Sequence, residues 1–302
     1  MKEVFVQSGC FSGAILLGYL LRRFGFFKDS DFHMLSRLVS KVTLTAAIVV
    51  NFNGRTMERS LLFLPVLGFA AGALHMLFQY LGNRSKGQDA QVFGLINLSG
   101  TNIGNFAMPF AQGFLGAAGV VAVCFYDIGN AFITLGLCTG VASGLGSGGK
   151  GIDLRALGRS LIRSIPLDAY VVMTVLCILR LTLPGPLVQY AQLIANSNAF
   201  LSMLMIGVGF HIGSREQLPR LARYLLLRYG AGLAFALIAW LLLPLDAEIR
   251  LALVIVFLAP IPAIGPAYTA EFRQDYGLAS VLNSLSIVLS IVLISGAMIL
   301  CG

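Results

Sequence analysis

Long, uninterrupted apolar runs restrict this chain to one kind of fold. Residues 61–81 and 225–243 are almost wholly apolar, and each has about the 20 residues a helix needs to cross a hydrocarbon core roughly 30 Å thick. Strands of a membrane barrel would alternate apolar and polar residues; these runs do not. Only 11% of the 302 residues are charged, against roughly 25% in an ordinary soluble domain. So few charges cannot cover a water-facing surface, and the expected class is an all-α integral membrane protein embedded in a lipid bilayer.

Hydropathy and the breakers between runs predict ten spans, near 4–21, 33–52, 61–81, 90–113, 117–141, 167–183, 191–212, 224–243, 249–272 and 278–300. They leave no length for a separate soluble domain. The first stretch lacks a charged leader and a small-residue cleavage site, so it reads as a span and not as a signal peptide. The five cysteines all fall inside spans, with no metal-ligand or redox spacing. Neither a metal site nor a disulfide framework is expected.

On this map sixteen Lys and Arg residues lie on one side, Arg228 among them, and five on the other: Lys2, Arg55, Arg59, Arg180 and Arg250. The positive-inside rule makes the first side cytoplasmic and puts both termini outside. It also accounts for the net charge of +8, which as a basic patch would have suggested nucleic acid. Here the charges are short runs between spans, and no nucleic-acid partner is expected.

The Gly/Ser-rich stretch 143–151 and a basic stretch over 152–165, with Arg155, Arg159 and Arg163 on one helical face, divide the chain. The expected organisation is a first five-helix repeat over 1–144, a linker with an amphipathic helix over 145–166, and a second repeat over 167–302. Five spans per half is an odd number, so the second half starts on the opposite side of the membrane. Two such halves form an inverted repeat, a recurring plan of secondary transporters.

Spans four and nine are interrupted at matching positions. Thr101-Asn102-Ile103-Gly104-Asn105-Phe106-Ala107-Met108-Pro109 aligns with Pro260-Ile261-Pro262-Ala263-Ile264-Gly265-Pro266-Ala267-Tyr268 at an offset of 159 residues. Pro removes a backbone donor and Gly loosens the chain. The segments are therefore expected to unwind near mid-membrane and cross, the alternative being two simple proline kinks. Helix N-terminal ends at such a crossing suit a carboxylate; carbonyl ends suit a cation or proton-bearing group. The expected substrate residues are Thr101, Asn102, Asn105, Met108 and Pro109 in the first break, and Pro262, Pro266, Tyr268 and Thr269 in the second. No Lys or Arg falls in either segment, so dipoles and amides are expected to hold the anion.

Asp127 lies midway along span five, with Asn130 one turn away. A carboxylate there is costly unless paired or hydrated. It either couples transport to a proton or sodium ion or hydrogen-bonds the unwound segment. His75, with Gln79 one turn on, is either a relay or an interhelical hydrogen-bond partner. No HExxH, no GxSxG and no paired aspartates in facing spans point to an enzyme. A sensor or non-transporting subunit would need a sizeable soluble output region, and the longest loop is 142–166.

The run Ser99-Gly100-Thr101-Asn102-Ile103-Gly104-Asn105-Phe106-Ala107-Met108-Pro109, then Phe114-Leu115-Gly116, resembles the Asn-x-Gly-x-x-x-x-Pro region of the auxin efflux carrier family. Asp127-Ile128-Gly129-Asn130 is similar to that family's fifth span, and so are Pro260 to Ser280 and Ser284 to Ser290 to its C-terminal spans. The family commonly carries Gly-Leu-Pro where this chain has Ala107-Met108-Pro109. The resemblance implies a ten-span inverted repeat related in fold to bile-acid sodium symporters. Spans 1, 2, 6 and 7 would form a scaffold, often dimeric, and spans 3–5 and 8–10 a mobile elevator. Without the long loop of many plant members the chain resembles the compact bacterial branch, linked to malonate and other small carboxylates. That implies an inner-membrane homodimer with no cofactor beyond coupled Na+ or H+.

Overall fold

The computed structural model of the chain describes residues 2–55, 61–146, 158 and 161–301. It is helical, with no strand among the described residues. In chain order the helices are α1 (Lys2–Arg23), α2 (Asp31–Phe52), α3 (Leu64–Asn83), α4 (Gln88–Leu98), α5 (Met108–Phe114) and α6 (Ala117–Leu145). They continue as α7 (Ile165–Ile178), α8 (Gly185–Val208), α9 (Leu218–Leu242), α10 (Ala247–Leu258), α11 (Gly265–Glu271) and α12 (Tyr276–Cys301).

Seven of these, α1, α2, α3, α6, α8, α9 and α12, belong to segments long and apolar enough to cross a bilayer, and α7 is a shorter apolar helix. This content fits an integral membrane protein. The remaining four are short and come as two pairs, α4 with α5 and α10 with α11. The core of the Gly/Ser linker, with Arg155 and Arg159, lies outside the described residues, as does Arg59.

Prolines mark helix starts more than breaks. Pro65, Pro109, Pro166, Pro186, Pro219 and Pro266 each occupy the first or second position of a helix. A missing N–H is harmless there and the fixed φ suits the helix. Pro109 and Pro266 thus open α5 and α11; the interruptions themselves lie several residues earlier.

Packing falls into two groups. Helices α1, α2, α7 and α8 pack chiefly on one another, and α3–α6 with α9–α12 form the other body. Each group has a seam where glycines bring backbones together, a common way of packing helices in membranes. Between α1 and α8, a Cβ on Gly18 would lie 2.2 Å from the Leu204 carbonyl oxygen and one on Gly207 1.9 Å from that of Ile15. Between α3 and α6, a Cβ on Gly68 would lie 2.2 Å from the Tyr126 carbonyl oxygen and one on Gly129 1.8 Å from that of Pro65.

Candidate functional site

The first break runs over residues 99–102, after which the chain re-enters helix through a π turn, Ile103–Ala107. The second follows the end of α10 at Leu258 and closes where α11 begins at Gly265. The two meet: the Asn102 backbone N–H donates to the Pro260 carbonyl at 2.8 Å. The segments that the 159-residue offset aligns are in contact. A side-chain brace joins the halves as well, from Asn97 Nδ2 to Thr269 Oγ1 at 2.8 Å.

Unwinding frees backbone groups, which in a membrane must find partners inside the protein. In the first break Asn130 on α6 acts as a substitute peptide. Its Oδ1 accepts from the Thr101 N–H and its Nδ2 donates to the Thr101 carbonyl, both at 3.0 Å. The same Nδ2 reaches Asp127 Oδ1 at 2.9 Å, and the Tyr170 hydroxyl on α7 donates to Asp127 Oδ2 at 3.2 Å. In the second break the partners come from α12. Ser286 Oγ accepts from the Ile261 N–H at 3.3 Å, and Asn283 Nδ2 donates to the Ile261 and Pro262 carbonyls, also at 3.3 Å.

Arg228 comes from α9 to the crossing and is fully buried. Its Nη1 donates to His75 Nε2 at 2.6 Å, and its Nη2 to Thr101 Oγ1 at 3.3 Å and to the Ala259 carbonyl at 3.4 Å. This corrects two expectations. Arg228 is not a charge on the membrane surface: it is wholly buried inside the protein. Nor is the crossing free of cations: one arrives from a span distant in sequence. The sequence does carry a signal, since a lone Arg interrupts an apolar run and charges within spans are costly.

Beside the crossing lies a cavity of about 920 Å³. Three π turns contribute to its wall: Val39–Thr43 through Ser40 and Lys41, Ile103–Ala107 through Gly104 and Asn105, and Ile133–Leu137 through Thr134 and Leu135. A π turn widens the helix locally and is frequent at functional sites. The cavity extends to one end of the molecule, where Asp29, His33, Arg37, Arg163 and His211 line its mouth.

Eight of the residues expected from sequence line this cavity: Thr101, Asn102, Asn105, Asp127, Asn130, Pro262, Pro266 and Tyr268. Four do not. Met108 and Pro109 are buried in the core; the π turn ahead of them adds a residue and carries both away from the cavity. Thr269 is buried as the brace to Asn97 and to the Gly265 carbonyl. His75 is buried as the partner of Arg228, with Phe235 against its ring at 5.1 Å. Its geometry is that of an interhelical hydrogen bond. Tyr170 and the basic mouth are cavity residues that sequence reasoning missed.

Asn102 Nδ2 and Asn105 Oδ1 are buried polar atoms with no hydrogen-bond partner among the described residues. Together with the Tyr268 and Thr134 side chains they offer both donors and acceptors to a small polar solute. No cluster of three or more potential metal ligands occurs among the described residues.

No family model matches the chain. Among curated proteins it is similar to an uncharacterized transporter of Methanothermobacter thermautotrophicus, 30% identical over 136 residues, which are 43% of this chain and 45% of that protein. It is also similar to an uncharacterized transporter of Methanocaldococcus jannaschii, 28% identical over 140 residues, 44% of this chain and 46% of that one. Both relatives are transporters by name. The chain spans less than half the length of the curated relatives it matches.

Proposed function

We propose that the chain is a secondary transporter of small organic anions, carboxylates above all, which binds its substrate at the crossing of the two broken helices. The observation that carries this reading is the contact between Asn102 and Pro260 beside a cavity lined by amides. Two interrupted helices meeting at mid-protein are a recurring site plan of such carriers, and the transporter names of the relatives agree with it.

The reading includes ten crossings, with α4/α5 and α10/α11 each counted as one, arranged as two inverted five-helix repeats. The equivalent roles of α6 and α12, each mending the break before it, support the repeat. Helices α1, α2, α7 and α8 would be the scaffold and the other body the elevator, as in the auxin efflux carrier family that the sequence resembles. The two packing groups agree with that division. A homodimer through the scaffold, in a bacterial inner membrane, belongs to the same reading. With the basic mouth cytoplasmic, the cavity opens inward and the termini lie outside; Ser8 of α1 and Ser295 of α12 meet at 2.7 Å at that far end.

Asp127 is the coupling candidate. It faces the cavity, holds Asn130 and Tyr170, and has no cationic partner among the described residues. Its bond to Tyr170 joins the two packing groups, so sliding one past the other breaks it.

The test is uptake and counterflow in proteoliposomes with acetate, malonate, succinate and benzoate, each with and without pH and sodium gradients. At least one carboxylate is expected to exchange; exchange of none sinks the reading. In Asn105→Ala protein, substrate affinity is expected to fall at least about tenfold, roughly 1.4 kcal/mol, with an unchanged melting temperature. Asp127→Asn protein is expected to keep exchange and lose its response to the driving gradient. An unaltered gradient response would remove Asp127 from coupling.

A further inference from the structure

A crossing of broken helices is electrically ambiguous. Its carbonyl ends carry partial negative charge, and carriers of this plan use them to hold a sodium ion or a proton. Here a side chain already occupies that position. The Arg228 guanidinium donates to the Ala259 carbonyl, just past the end of α10, and to Thr101 within the first break. Its other hydrogen-bond partner is His75, which must accept through Nε2 because a guanidinium has only donors to offer. No salt bridge to Arg228 forms among the described residues.

The cation is thus compensated by an imidazole nitrogen and by carbonyl and hydroxyl oxygens, with no carboxylate at contact distance. Asp127, the carboxylate nearest to it along the hydrogen-bond chain, is reached only through Thr101 and Asn130. Thr101 forms part of the cavity wall, so Arg228 stands one hydrogen bond behind the site. In so buried a place its charge is screened far less than at a surface.

From this geometry we infer that Arg228 is a tethered cation standing where a sodium ion would otherwise neutralise the carbonyl ends of the crossing. It makes the cavity accept an anion with no sodium ion at that position. The inference rests on the transporter reading and names what sets the sign of the solute. Arg228 is a positioning and charge-setting residue; the solute itself meets Asn102, Asn105 and Thr101.

The experiment measures binding of acetate, malonate, succinate and benzoate to purified protein, in choline and in sodium buffers. The variants are Arg228→Gln, which keeps amide donors and loses the charge, and Arg228→Lys, which keeps the charge. Wild-type protein is expected to bind its carboxylate equally, within about twofold, in both buffers. Arg228→Gln is expected to lose at least about tenfold in affinity, or to bind only in sodium, with Arg228→Lys within about threefold of wild type. A purely structural clamp would give the reverse order, or would lower the melting temperatures of both variants and leave sodium dependence untouched. A wild-type protein that binds only in sodium overturns the inference, as does Arg228→Gln protein of unchanged affinity. The wild-type comparison holds even if a variant fails to fold. Binding of no carboxylate by wild type overturns the transporter reading along with it.

Discussion

The two breaks do the same mechanical job with different chemistry. The first is mended by one residue: Asn130 takes both backbone groups of Thr101 and passes a bond on to Asp127. Charged side chains flank it, Arg228 on one side and Asp127 on the other. The second is mended by Ser286 and Asn283 through longer bonds, with Arg228 reaching only its first carbonyl, that of Ala259, and proline residues remove donors that would otherwise need partners. One break is a connected polar node; the other is a pre-shaped, low-demand turn. On the proposed reading, recognition belongs to the first, and the second is the surface against which it is held.

This contrast can be broken most severely at Gly129. A side chain there drives into the Pro65 carbonyl, where a Cβ has only 1.8 Å of room. It would push α6, and Asn130 with it, away from the first break. Gly129→Val is expected to cost at least about 3 kcal/mol, read as loss of folded protein in detergent by size-exclusion chromatography. Next in size, Asn130→Ala leaves the buried Thr101 N–H without a partner and its carbonyl with the Ile103 N–H alone, at about 2 kcal/mol. Asn283→Ala at the second break is expected to cost less than about 1 kcal/mol, since Pro262, one of its two acceptor residues, lines the cavity, where its carbonyl can turn to water. Thermal unfolding of the two variants side by side decides it: equal losses would mean the breaks are equally dependent on their side-chain mends. Thr269→Val, which removes the brace to Asn97, is expected to cost a comparable amount, at most about 1 kcal/mol, and to leave solute affinity unchanged. Weaker binding in that variant would return Thr269 to the site.

The sequence makes the positions of the interruptions legible because Pro and Gly in an apolar run have few other uses. It also makes Asn102, Asn105, Asp127 and Asn130 legible as cavity residues, since polar groups inside spans need a reason. It does not reveal which side of a break a residue ends on. Met108 and Pro109 look like site residues in a helix of regular pitch; the π turn at Ile103–Ala107 turns them into the core. Pro109 and Pro266 read as breakers but open helices. Arg228 is visible as an anomaly in an apolar run, yet its destination depends on α9 packing against α3 and α10, a long-range fact that no local pattern encodes.

The glycine seams carry a consequence for how the molecule comes into being. The α3–α6 seam joins segments some sixty residues apart in one half of the chain, so it can close while the second half is still being made. The α1–α8 seam cannot. Gly18 must wait for Leu204 and Val208, which leave the ribosome roughly 10–40 s later at ordinary elongation rates. Throughout that interval the notch on α1 is without the backbone of α8 that closes it. A methyl group at Gly18 would leave the first half free to form and be felt only late, when α8 arrives and finds its Leu204 carbonyl obstructed.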